Sequence, residues 1–188
     1  MNIGPCSLEI HPLANIEIHT TGAGEALWHS RSADPQCGIK CAAAIDGTIT
    51  QGWYRFSIEI AAVGGAITSP RLYPAYGLGY TEEDRIALPE PDAYGKIEAL
   101  ILFRSDVRNL RFDPTASAAS FHMNRFSMRR VGKMRAALFM IEKISCVKFP
   151  GNTFARHVQG LRLLLKSMMK HGRRRAGELI YREYRQLT

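Results

Sequence analysis

The side chains best placed for chemistry in this chain are suited to recognition rather than to bond-making. In Gly52-Trp53-Tyr54-Arg55-Phe56-Ser57-Ile58-Glu59-Ile60, every second position puts Trp53, Arg55, Ser57 and Glu59 on one face. A tryptophan beside an arginine and a glutamate supplies a flat amphipathic surface and a few oriented polar groups, which is what holding a pyranose ring demands. Tyr73, Tyr76 and Tyr80 extend the set, the last two in a segment with Gly77 and Gly79. Trp53, Arg55, Glu59, Tyr73, Tyr76 and Tyr80 are therefore the candidate carbohydrate-binding residues. The competing reading is structural. Large aromatics are buried on average, and Trp28 and Trp53 above all suit a core.

No constellation commits the chain to a reaction. Glu82, Glu83 and Asp84 are adjacent carboxylates, but they follow Thr81 in the pattern of a capped helical turn rather than a calcium loop. Cys37 and Cys41 stand four apart near His29 without a second pair, so two buried thiols fit better than zinc. There is no Gly-x-Ser-x-Gly elbow, and Gly77-Leu78-Gly79 lacks the remaining glycine and the βαβ setting of a dinucleotide loop. Arg111 and Asp113 share a strand face two residues apart and read as structural ion-pair partners of Glu59 or Arg55 across the sheet. The expectation is no catalytic residue, no cofactor and no metal.

The elements that would carry these residues are short strands. Tyr54, Phe56, Ile58 and Ile60 give residues 52 to 60 an oily face, the mark of a half-buried strand. Runs at 7–10, 15–19 and 25–28 alternate similarly. Arg31 to Gln36 reads as a loop with an Asx-type turn at Asp34-Pro35. Val63-Gly64-Gly65-Ala66 predicts a hairpin leading to a strand over 67–76, which Pro70 and Pro74 mark as an edge or as interrupted. Strands follow at 84–88, at 96–103 (apolar on both faces, hence central), at 107–113 and at 121–128. Strands at this spacing without intervening helices predict a mainly β fold, an antiparallel β-sandwich of jelly-roll type over residues 1–130. Residues 131–188 read as a basic helical tail. Met134, Ala137, Leu138, Ile141 and Ile144 share one stripe, a second helix follows residue 152, and Ile180, Tyr184 and Leu187 fall together further on.

Charge divides the chain at a similar place. Residues 1 to 118 hold 9 Lys+Arg and 14 Asp+Glu, a balance of −5, and residues 119 to 188 hold 16 against 3, a balance of +13, together the net +8. Arg162, Lys166, Lys170, Arg173, Arg174 and Arg175, interleaved with leucines and methionines, form a candidate docking surface for an anionic membrane or a partner protein. Nucleic acid is disfavoured, because the tail has few aromatics for base stacking and no reading motif. The four scattered cysteines suit reduced thiols. The N-terminus shows no basic start or apolar core, and no run of about 18 apolar residues occurs. The expected location is the cytoplasm, at the inner face of the membrane if the tail meets lipid.

Trp28 with Asp34-Pro35-Gln36, Gly52-Trp53-Tyr54, Leu72-Tyr73, Gly77-Leu78-Gly79-Tyr80 with Glu82, and Arg111-Phe112-Asp113-Pro114 form an ordered set. In this order the set resembles a β-sandwich region N-terminal to the catalytic domains of bacterial glycosyltransferases of rhamnan- and O-antigen-type polysaccharide synthesis. The resemblance covers roughly residues 25 to 130, the size of one sandwich. It implies an accessory module, with sugar transfer in a separate domain, and as partners a glycan and a glycosyltransferase catalytic domain. The sequence departs from the full pattern in reaching Thr188 before a nucleotide-sugar domain and in lacking an Asp-x-Asp pair. The resulting expectation is a non-catalytic, carbohydrate-binding-like module of surface-polysaccharide synthesis. The alternative is a membrane- or partner-docking adaptor acting through its basic helices.

Overall fold

The alternation of residues 52 to 60 becomes a strand, β5 (Gly52–Gly64), which buries Tyr54, Phe56, Ile58 and Ile60 and turns Trp53, Arg55, Ser57 and Glu59 outward. The computed structural model describes residues 8–20, 25–41, 48–77, 79–148, 158, 160, 162, 169 and 176–187. The chain divides into two compact units, Met1–Arg130 and Val131–Thr188.

The first unit is an antiparallel β-sandwich. Its front sheet runs, in spatial order, β1 (Leu8–Ala14), β4 (Gln36–Cys41), β9 (Asn109–Asp113), β6 (Arg71–Ala75) and β7 (Ile86–Ala87). Its back sheet runs β2 (Ile16–Thr20), β3 (Ala26–Ser30), β10 (Ala119–Val131), β5 and β8 (Lys96–Phe103). The inner faces meet in one apolar core. Phe56 of the back sheet lies 5.9 Å from Phe112 of the front sheet and 5.3 Å, edge-on, from Phe126, measured between ring centroids. Trp28 is buried in this core, so its role is packing.

Several local expectations are corrected by the topology. β4 falls where sequence patterning shows no strand, because Gly38 and two cysteines carry little strand preference of their own. Pairing with β1 on one side and β9 on the other supplies the context instead. Gly64-Gly65 does not make a hairpin, since β5 and β6 belong to different sheets. Gly65 lets the chain cross between them at φ +80, where a β-carbon would come 2.7 Å from the Ala118 carbonyl oxygen.

The predicted 67–76 strand contracts to β6, which is not an edge: β9 flanks it on one side and β7 on the other. β7 pairs only with Arg71 and Leu72, so Pro74 lies beyond that ladder and its missing N–H costs no bond there. β8 ends its sheet rather than lying centrally. Its second apolar face comes from Leu100 and Leu102, which stand opposite Arg55 and Trp53. β10 changes phase midway. Phe121 and Met123 face the core, then Phe126 and Met128 do, with Arg125 between them at φ 46.

In the second unit, α1 (Lys133–Lys148) buries Ala136, Met140, Ile144 and Ser145. Of the residues at helical spacing, Ile144 is buried, whereas Met134 and Leu138 are 75% and 51% exposed. Apolar and charged residues are interspersed around the helix, so periodicity alone does not choose a face. A close approach does: a β-carbon on Gly160 would come 2.5 Å from Ser145 Oγ and 2.7 Å from Ile141 Cγ2. Residues 176–185 are helical and meet α1 through the Phe139–Tyr184 ring pair and the Lys148–Glu183 ion pair. Ile180 and Tyr184 are buried, whereas Leu187 is exposed. The predicted second helix lies mostly outside the described residues, as do the side chains of Lys166, Lys170, Arg173, Arg174 and Arg175. Arg162 is described and exposed. Among the described residues no helix is long and apolar enough to cross a membrane.

Candidate functional site

Strand alternation on β9 sends Leu110 and Phe112 into the core and Arg111 and Asp113 to the outward face of the front sheet. Register then decides their neighbours. Arg111 stands opposite Tyr73 of β6 and Gly38 of β4, Gly38 stands opposite His11 of β1, and Asp113 stands opposite Arg71. One row across the front face thus reads His11, Gly38, Arg111, Tyr73.

The Arg111 guanidinium carbon lies 4.1 Å from the centroid of the Tyr73 ring and 5.4 Å from that of Tyr80, within reach of both π-faces. Its Nη2 donates to Asp113 Oδ2 at 2.8 Å and lies 3.9 Å from Asp34 Oδ1. The Tyr73 hydroxyl donates to Glu82 Oε1 at 2.9 Å, and Arg85 pairs with the other Glu82 oxygen at 3.3 Å. Thr81 Oγ1 accepts the Asp84 amide at 3.3 Å, so the three carboxylates at 82–84 sit on a capped turn beside this face. The Asp34 loop is held by Ser32 Oγ, which accepts the Asp34 amide at 3.3 Å, rather than by an Asx turn. The Asp34 carboxylate instead accepts from Gln36 Nε2 at 2.7 Å.

Burial makes this pair more than a surface salt bridge. The Arg111 and Asp113 side chains are only 14% and 6% exposed, and Arg111 Nε and Asp113 Oδ1 have no hydrogen-bond partner among the described residues. Buried atoms left so are costly, about 1–3 kcal/mol each, and are uncommon in folded proteins. Burial pushes the Asp113 carboxyl up to about 6, against the pull of Arg111. Burial likewise raises the Tyr80 phenol, with Arg111 acting in the opposite direction.

The six sequence candidates are therefore not one site. Tyr73 and Tyr80 meet at Arg111, Tyr73 buried beneath it and Tyr80 37% exposed. Trp53, Arg55 and Glu59 stand on the outward face of the opposite sheet. Arg55 donates there to Glu98 at 2.9 Å, and Glu59 lies 3.5 Å from Arg125. Neither reaches Arg111 or Asp113, which pair with each other. Tyr76 packs its ring against the core and lines an open cleft of about 800 Å³ with Thr48, Gln51, Gly77, Ser105, Asp106 and Arg108. Sequence reading missed Gly38, His11 and Asp34 as neighbours of this pair. The available signal was Arg-Phe-Asp itself, an ion pair stepping over a core residue.

Cys37 is buried and its thiol is pushed up to about 12, chiefly by burial, which makes it inert. Among the described residues no group of three His, Cys, Asp or Glu side chains is placed to hold a metal ion.

No protein-family model and no curated protein matches the sequence. Among solved structures, the sandwich is similar to the CBM22-1 xylan-binding domain of Paenibacillus barcinonensis Xyn10C, at 15% identity and a TM-score of 0.48, over 65% of this chain and 85% of that one. It is also similar to the family 29 carbohydrate-binding module CBM29-2, one mutant of which is complexed with mannohexaose. That match has 8% identity and a TM-score of 0.41, over 66% of this chain and 82% of that one. Similarity of this degree concerns the arrangement of strands and carries no ligand with it.

Proposed function

We propose that this chain is a non-catalytic carbohydrate-binding module whose ligand lies along the front sheet around Arg111. The observation that supports the reading is the outward Arg111–Asp113 pair, buried with atoms that find no partner among the described residues and flanked by a partly exposed Tyr80 ring. A purely structural surface pair gains little and would not bury polar atoms without partners. A sugar offers hydroxyls that both donate and accept, and a C–H face that stacks on an aromatic ring. The motif set that resembles the accessory region of bacterial glycosyltransferases supports a place beside such an enzyme in surface-polysaccharide synthesis. Affinity electrophoresis of the full chain in gels containing a panel of soluble polysaccharides tests the reading. Retardation by at least one polymer, lost in Tyr80→Ala, is expected, and unretarded migration in every gel overturns it.

The charge of +13 on residues 119 to 188 favours a second reading, docking of the basic segment on an anionic membrane or partner surface. Each basic residue near lipid contributes about 1 kcal/mol. Sedimentation with phosphatidylserine vesicles should then fall with salt and vanish when Arg173, Arg174 and Arg175 are changed to glutamate. Binding that ignores both changes counts against it.

A further inference from the structure

Resting on the glycan-binding reading, we infer that the front face accepts a neutral, hydroxyl-rich chain and rejects one bearing carboxylates or sulfates. The argument is the depth at which each charge sits. The carboxylates stand outermost, with the side chains of Asp34 and Glu82 58% and 68% exposed. The central cation lies deep, Arg111 being 14% exposed. Its guanidinium is already engaged by Asp113 at 2.8 Å and approached by Asp34 at 3.9 Å, while Arg85 is paired with Glu82 at 3.3 Å.

An anion arriving over Tyr80 would therefore meet Asp34 and Glu82 before Arg111, with Arg85 already paired to Glu82, and could reach Arg111 only by displacing a carboxylate buried beside it. The other cations of this face, Lys40 and Arg71, flank that point on β4 and β6. A hydroxyl faces no such conflict. It donates to the remaining lone pairs of Asp34 and Glu82 and accepts from the outer edge of the Arg111 guanidinium, while the sugar ring rests on Tyr80. The net +8 of the chain does not decide the matter, because +13 of it belongs to residues 119 to 188, and like charge at the site itself governs which partner is refused.

The test must read this site rather than the basic segment. In the full chain with ¹³C-labelled tyrosine, the Tyr80 ring signals are identified by comparison with Tyr80→Phe. They are then followed at about 0.3 M salt, which screens exposed charges beyond several Å. One panel contains neutral hexasaccharides of mannose, xylose, glucose and rhamnose, the other oligogalacturonate and a heparin hexasaccharide. Neutral members should move the Tyr80 signals at concentrations about tenfold or more below any acidic member, and Asp34→Asn with Glu82→Gln should close most of that gap. Acidic members that shift Tyr80 as readily as neutral ones overturn the inference and leave the binding reading standing. Tyr80 signals that stay fixed with every member of both panels overturn the binding reading itself.

Discussion

His11 lies across Gly38. The two face each other in the β1–β4 ladder, and a β-carbon on Gly38 would come 2.3 Å from His11 Nε2 and 2.4 Å from Cε1. The imidazole occupies the place that a side chain on β4 would take beside Arg111. Gly38→Ala should therefore expel the ring, at a cost of about 1 kcal/mol in urea unfolding, and should cost clearly less in a His11→Ala background. Strict additivity of the two changes would show that the contact carries no energy.

Which face binds is decided by comparing the two aromatic candidates. Tyr80→Ala should weaken glycan retention about tenfold or more, roughly 1.4 kcal/mol, with little loss of thermal stability because the ring is 37% exposed. Trp53→Ala, on the back sheet, should leave retention unchanged. Loss of retention in the Trp53 variant alone would move the site to the back sheet.

Asp113 makes stability depend on pH with a definite sign. Its carboxyl is raised from 3.8 to about 6 in the folded chain, so between those values the folded state holds the proton more tightly than the unfolded one. Stability from this group should fall as pH rises from about 4 to about 6 and then level off. Asp113→Asn should flatten that slope in urea titrations across the window. Identical slopes in the two proteins would contradict a raised carboxyl.

Gly95 turns at φ +75, and a β-carbon there would come 2.5 Å from the Ile60 carbonyl oxygen. Gly95→Ala should cost about 2 kcal/mol or more, since both the backbone conformation and a backbone atom oppose it. Gly132→Ala, with nothing within 4 Å of the added atom, is the control and should stay within about 0.5 kcal/mol of the parent. A neutral Gly95→Ala would place that turn elsewhere.

The sequence by itself determined whatever depends on neighbours along the chain. Alternation in Tyr54, Phe56, Ile58 and Ile60 assigns the strand and its buried face, because successive side chains of extended backbone point to opposite sides. The same locality fixes the Thr81-capped turn and the step of Arg111 and Asp113 over Phe112. The tertiary structure alone decided which strands pair and in what register. Only pairing sets Gly38 and Tyr73 on either side of Arg111, and only the crossover at Gly65 sends Trp53 and Tyr73 to opposite sheets. A strand's period of two states which residues share its face, but it contains no information about which strand lies alongside. That choice is made by the burial of both inner faces at once, through contacts such as Phe56 with Phe112 that no short stretch of sequence contains.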